Sequence, residues 1–337
     1  MTLPRPAALL ILCLATLMQA ACSRTGVTIA TEHSTLTADD GYKLKRYRLM
    51  DWDGGRPRFT KTHGVVYYVQ GSDDASALNA TERLAAAAAM GLDVLMIERR
   101  GVTDRGLTAP ADAEQFATKQ TRVGDTLTLI RDDLARRAPG GPIILCGASE
   151  GGDVAAAVAA REPRLTHLVL LGSGGGMTQA EELLSTWQQL PPQLNIRSQA
   201  DLHAVFADIR ANPQADKRWY GHPYRRWATY AFDRPLDDLL KVTAPILLIH
   251  GDADASVPVA SARAVRDAFA AAGRTNLTYR EYAGADHRFI RAGGGSVFPR
   301  VEVDLVVWLR DTGGMPAGHA DEFVRRVKRA HPDVFVN

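Results

Sequence analysis

Residues 142–160, PIILCGASEGGDVAAAVAA, pass from an apolar run through Gly147-Ala148-Ser149-Glu150-Gly151 into an alanine-rich segment. A strand that turns so sharply into a helix leaves no room for side chains two residues before and after the apex, and glycine stands at both positions. The apex residue is held in a strained backbone conformation with its side chain lifted above the sheet. Ser149 is therefore a candidate nucleophile, and the chain must contain at least one strand, turn and helix packed closely together. A glycine-rich phosphate or turn loop is the bland alternative for the same five residues.

Further elements repeat this unit. Val65–Val69 is a short continuous apolar run ending in Gln70-Gly71-Ser72, and Asp93–Glu98, Leu165–Leu171, Pro245–His250 and Leu277–Tyr282 also read as buried strands. Between them, 77–90 and 119–138 have helical spacing, the latter with Val123, Leu127, Ile130 and Leu134 on one face. Alternation of strand and helix predicts an α/β fold with a mostly parallel central sheet flanked by helices. Before it, 24–35 reads as a polar spacer, and Tyr42–Met50 with Arg58–Lys61 as a hairpin. Between Gly172 and Pro245 the alternation stops, and the segment 177–240 predicts a helical cap insertion. It holds Trp187, Trp219 and Trp227, which are candidates to line an apolar substrate pocket or, alternatively, to glue the cap to the sheet domain.

The 337 residues carry 40 basic and 38 acidic side chains, a net charge of +2 that is too balanced to make nucleic acid the main partner. Arg5, the apolar run Ala7–Met18 and the small residues Ala20, Ala21, Cys22 and Ser23 have the layout of a secretory signal over 1–23. Ala20-Ala21-Cys22 resembles the end of a bacterial lipoprotein signal, in which Cys22 would be lipidated and attach the protein to a membrane, although Gln19 stands where that pattern has an aliphatic residue. The expected location is exported: the periplasm, or the cell envelope through a lipid anchor. Cys146, in the strand before the turn, is expected to pack as a small hydrophobe.

A serine hydroxyl needs a general base, and the base needs a group to orient it. Pro245–His250 continues into Gly251-Asp252-Ala253-Asp254-Ala255-Ser256-Val257-Pro258, and Leu277–Tyr282 into Gly284-Ala285-Asp286-His287. Loops after parallel strands share one edge of the sheet, so Asp254 and His287 can meet Ser149 there. Asp252 and Asp286 are rivals for the acid, and both also read as solvated turn carboxylates. His250 with Asp252 and Asp254 could suggest a metal site, but no other ligand cluster supports it, and neither metal nor cofactor is expected.

On these residues the chain resembles the α/β-hydrolase superfamily, of the capped serine hydrolase or esterase type, over about 40–313. The superfamily pattern Gly-x-x-Asp-x-x-Val-Pro matches Gly251, Asp254, Val257 and Pro258. The order nucleophile, acid, histidine is also the superfamily's own. Glu98-Arg99-Arg100-Gly101 is similar to the acidic-x-Arg-Gly loop of capped members. The resemblance implies a core over 36–176 and 241–312, the cap at 177–240 and a helical tail at 313–337 without chemistry. It implies oxyanion donors in the backbone N–H of Glu150 and of Ser72, with Gly71 the alternative, although Gln70 departs from the usual histidine. The expected activity is hydrolysis of a small-molecule carboxylic ester or thioester. The alternatives are a serine peptidase of the capped aminopeptidase type and a non-catalytic envelope binding protein on the same scaffold. Epoxide hydrolases and haloalkane dehalogenases place Asp at the turn, which excludes those readings.

Overall fold

The computed structural model describes residues 18–22, 27–53, 55–59, 62–72, 75–107, 110–138 and 140–335. Its central sheet contains β1 (Met18–Cys22), β2 (Val27–Thr37), β3 (Lys43–Asp53), β4 (Gly64–Val69), β5 (Leu92–Ile97), β6 (Ile143–Ala148), β7 (His167–Leu171), β8 (Ile246–Gly251) and β9 (Leu277–Tyr282). The spatial order is β1-β2-β3-β5-β4-β6-β7-β8-β9, and the six strands from β5 to β9 in that order run parallel. The order reverses between β4 and β6, and the crevice at the carboxyl ends of strands beside such a reversal is where open α/β sheets bind ligands. Gln70-Gly71-Ser72 and Ser149 both leave the sheet there.

The central strands are apolar throughout because both faces are covered. Successive side chains alternate between faces, so Ile144 and Cys146 join one core layer while Leu145 joins the other. The first layer packs under α1 (Thr81–Ala89), α10 (Phe298–Asp311) and α11 (Ala317–Ala330), and includes Leu84, Val301, Val306 and Phe323. The second packs under α3 (Lys119–Leu134), α4 (Glu150–Ala159) and α9 (Val259–Ala271), and includes Leu127, Val154 and Val265. Burial pushes the Cys146 thiol up to about 12, so it stays un-ionised, as a packing residue does.

The amino-terminal expectation requires correction. The main partner of β3 is β2, paired antiparallel from Ile29↔Asp51 to Thr37↔Lys43, within what the sequence offers as a polar spacer. Just before the expected hairpin partner, Arg56–Pro57 pairs with Trp52 and Asp53, while the other neighbour of β3 in the sheet is β5, from Arg46↔Ile97 to Leu49↔Val94; residues 60 and 61 of the expected hairpin lie outside the described residues. The strand V-T-I-A-T-E-H-S-T-L-T is rich in β-branched threonine, buries Ile29, Ala30 and Leu36, and leaves other positions to water, so its polarity marks a half-solvated strand. Of the expected signal, 1–17 and Ser23 lie outside the described residues, while Met18–Cys22 pairs with β2 along Met18↔Thr31 to Cys22↔Val27. In the tail, α11 lays Ala320, Phe323 and Val327 into the core beside α10.

The segment above the sheet contains α5 (Gln179–Ser185), α6 (Gln199–Ala211), α7 (Tyr224–Tyr230) and α8 (Pro235–Leu239). Its first two helices begin with capping boxes, Thr178 with Glu181 and Ser198 with Asp201, which satisfy the free N–H groups of each first turn. The segment has its own small core of Leu202, Phe206, Ile209, Tyr224 and Trp227. Tyr230 and Leu239 instead join the sheet-side layer, so the last turns of this insertion dock on the main domain.

Candidate active site

Ser149 has φ 53° and ψ −130°, a left-handed region that costs a non-glycine residue energy. The surrounding hydrogen bonds hold it there: its N–H donates to the Leu171 carbonyl at 2.8 Å, and its carbonyl accepts from Gly152 N at 2.8 Å and Ser173 Oγ at 2.9 Å. The flanking glycines are required by distance. A Cβ on Gly147 would lie 2.5 Å from the Gly151 carbonyl oxygen, and one on Gly151 would lie 2.2 Å from that of Val69 and 2.5 Å from that of Gln70. These obstacles are backbone and cannot swing away. Gly151→Ala is therefore expected to cost about 3 kcal/mol or more, because α4 must separate from β4. A urea midpoint unchanged from wild type would contradict this packing.

The Oγ of Ser149 lies 3.1 Å from His287 Nε2, and His287 Nδ1 lies 2.7 Å from Asp254 Oδ2. His287 stands at the tip of a tight loop after β9, in which the Asp286 carboxylate accepts from Arg288 N and Ile290 N, both at 2.8 Å. Asp254 is buried after β8; its second oxygen accepts from Ser256 N at 2.8 Å and Val257 N at 2.9 Å. Burial raises the Asp254 pKa, but the hydrogen bond and charge of His287 outweigh it, and the carboxyl sits below its ordinary value. It is thus ionised at neutral pH. The rival acids are elsewhere: Asp252 accepts from Gly284 N at 2.5 Å, and Asp286 is spent on its own loop. His250 is fully buried, with its ring nitrogens 3.2 Å from the Ser173 carbonyl and 3.0 Å from that of Val257.

Glu150 is the first residue of α4, so its backbone N–H has no acceptor within the helix. The loop after β4 comes close on the other side, where a Cβ on Gly71 would stand 3.2 Å from Ser149 Cβ. That loop is gripped at both ends: Arg99 Nη1 donates to the Ser72 carbonyl at 3.2 Å, and buried Glu98 accepts from Ser76 Oγ at 2.5 Å and Ala77 N at 3.0 Å. The neighbouring Arg100 is structural, bound through both ends of its guanidinium to Asp125 and also to Asp40.

A cavity of about 650 Å³ opens over Ser149 and His287. Trp227 and Tyr220 of the cap line it, as do Leu183, Phe289 and Phe298. Two of the three expected tryptophans are not in its wall, which is a correction: Trp219 packs on Trp227 at 5.0 Å and on Phe206 at 5.6 Å, and Trp187 lies against the same small core. A helical cap this small uses most of its aromatic surface to hold itself together.

Sequence reasoning missed two wall residues. Asp153 lies one helical turn after Ser149, and Glu182 lies in α5. Burial, then the negative charge of Asp153, pushes the Glu182 carboxyl from its ordinary value near 4.5 up to about 8, and burial raises Asp153 as well. The available signal was a carboxylate, Asp153, inside an otherwise apolar alanine-rich helix. A carboxyl raised on folding contributes fully below about pH 4.5, and its contribution drains away as the unfolded chain ionises up to about pH 8. Glu182→Gln is thus expected to shrink the fall in melting temperature between pH 5 and pH 8. An unchanged fall would show that Glu182 ionises normally in the folded protein.

The family model described as "Serine aminopeptidase, S33" matches residues 60–291, well over half of the chain. No sequence among the curated proteins matches. Among solved structures, a puromycin-hydrolyzing peptidase from Mycobacterium tuberculosis is similar at 18% identity and TM-score 0.60, over 86% of this chain and 41% of that one. A highly thermostable carboxyl esterase from Bacillus coagulans gives 18% identity and TM-score 0.59, over 84% and 98%. The Pyrococcus horikoshii acylaminoacyl peptidase gives 14% and 0.59, over 84% and 41%. This chain therefore spans less than half the length of either peptidase, and at these identities the likeness is one of fold. With the family match, the parallel sheet and the serine at its strained turn, the chain belongs to the serine aminopeptidase S33 family of α/β-hydrolases and is a serine hydrolase.

Proposed function

We propose that this protein is an exported hydrolase of carboxylic esters or thioesters that works through an acyl-enzyme on Ser149. The observation that carries the reading is the continuous chain of contacts from Ser149 Oγ through His287 to Asp254. His287 Nε2 takes the hydroxyl proton as Oγ attacks the acyl carbon, and returns it to the leaving alcohol or thiol. Asp254 keeps the remaining imidazole proton on Nδ1 and stabilises the charged ring. The N–H of Glu150 and that of Ser72 or Gly71 receive the developing oxyanion. Water then repeats the sequence on the ester of Ser149. The test is turnover of p-nitrophenyl esters of graded acyl length against aminoacyl-nitroanilides, on the purified protein. Esters turned over, with anilides untouched, is the expected result; the reverse would sink the ester assignment.

A second reading, an aminopeptidase, is favoured by Asp153 and Glu182 in the cavity wall, since burial disfavours their ionisation in the empty site and a cationic amine beside them would favour it. Faster cleavage of aminoacyl substrates than of their N-acetylated counterparts would select it.

Export rests on the sequence of 1–23. The mature chain is expected to begin near residues 21–24, with Cys22 lipidated or the signal simply removed, and mass spectrometry of the native amino terminus reads this directly. An intact Met1 in the native host would refute both forms.

A further inference from the structure

The carboxylate of Glu150 is buried between two guanidinium groups from distant parts of the chain. Arg122, on α3, donates from Nη1 to Glu150 Oε1 at 2.8 Å, and Arg226, on α7 of the cap, pairs through Nη2 with Glu150 Oε2. Side-chain exposure is 6% for Glu150, 10% for Arg122 and 7% for Arg226, so these charges face one another with little water between them. Arg122 also donates from Nη2 to the Gln70 carbonyl, which belongs to the peptide that carries the Gly71 N–H. One arginine thus joins the two backbone segments that supply the oxyanion donors. Arg226 ties the cap to the same point, and its guanidinium is stacked on Trp227 at 4.6 Å and Tyr230 at 5.0 Å.

We propose that Arg122 and Arg226 are positioning residues for the oxyanion hole, Arg122 fixing the spacing of its two donor segments and Arg226 making that spacing depend on a seated cap. This rests on the reading of Ser149 as the nucleophile. Donors must stand about 3 Å from where the oxyanion forms, and small errors there cost rate without weakening substrate binding. The cap therefore completes the catalytic geometry as well as shaping the pocket. A surface ion pair would be too weak for this task, whereas a buried one leaves an uncompensated charge when broken.

The experiment is steady-state kinetics of the full chain on p-nitrophenyl acetate, with thermal melting of every variant. Arg226→Met is expected to lower kcat by about 10- to 100-fold with KM within about threefold, and Arg226→Lys to recover part of the loss. Arg226→Met leaves Arg122 and Glu150 as a balanced pair, so the second variant is Ile209→Ala, which opens a hole in the cap's own core with the three charges intact and is expected to lower the melting temperature while kcat stays near wild type. Wild-type kcat in a variant that melts like the wild type would overturn the proposal, and so would a loss confined to KM, which would make Arg226 a substrate contact. A fall in kcat in Ile209→Ala as large as that in Arg226→Met would also overturn it, as a purely structural role. Failure of a fluorophosphonate to label the wild-type protein would instead remove the nucleophile reading on which the proposal stands.

Discussion

Ser149→Ala is expected to abolish ester turnover and fluorophosphonate labelling, with kcat reduced by at least about 10⁴-fold, while the melting temperature stays within a few degrees of wild type. Among the described residues the hydroxyl is hydrogen-bonded to His287 at 3.1 Å, so its removal deletes the attacking atom and little else. Alanine also meets the same positive φ, and the hydrogen bonds that fix the turn are made by backbone groups of residue 149. His287→Ala should do nearly as much damage, since the two groups act as a unit. Residual turnover above about 1% of wild type in Ser149→Ala, after exclusion of contaminating esterase by labelling, would remove Ser149 from the mechanism.

Asp254→Asn is the second large effect. An ionised carboxylate accepts the proton on His287 Nδ1 across 2.7 Å, which leaves Nε2 unprotonated and facing Ser149 Oγ. The carboxamide can instead donate to Nδ1, placing the ring proton on Nε2, where the base must be free. A loss of about 10⁴-fold in kcat is expected, against less than about tenfold for Asp252→Asn or Asp286→Asn. Asp252 caps the Gly284 N–H of the loop after β9 and Asp286 caps N–H groups of its own loop, whereas the ring is bonded to Asp254. Comparison of the three variants on one ester at constant pH decides the matter. If Asp252→Asn were the inactive variant, the hydrogen bond from His287 to Asp254 would not operate in solution. The depressed Asp254 pKa adds a condition on the assay: its folding contribution is present above the ordinary carboxyl value and lost as pH falls through the lower folded value, so acid conditions weaken the site together with the base.

The elements that were legible in the sequence share a cause. Ser149 and Asp254 follow strands that are buried along nearly their whole length, His287 follows the half-exposed edge strand Leu277–Tyr282, and parallel strands deliver their following loops to one edge. A local rule also fixed Gly147, whose Cβ would meet the Gly151 carbonyl of the same turn, whereas Gly151 is required by the Val69 and Gln70 carbonyls of the neighbouring strand and loop. Strand β2 was illegible for the opposite reason: Ile29 and Leu36 point to opposite core layers from its two ends, and the threonine, serine, glutamate and histidine side chains between them show no apolar period until the pairing with β3 is known.

From β4 onward the sequence by itself determined the order of the main strands and helices, the tight turn at Ser149 and the candidate base and acid, because hydrophobic period, glycine placement and chain order are local properties. Tertiary structure alone decided what surrounds them. Trp219 and Trp227 are eight positions apart in one segment, yet Trp219 packs inside the cap while Trp227 faces the cavity. Arg122, Glu150 and Arg226 carry no motif and lie far apart in the chain, and only the docking of cap on sheet brings their charges together in a dry space. The energy of a charge depends on its neighbours and on the water they exclude, and neither is written at the position of the residue itself.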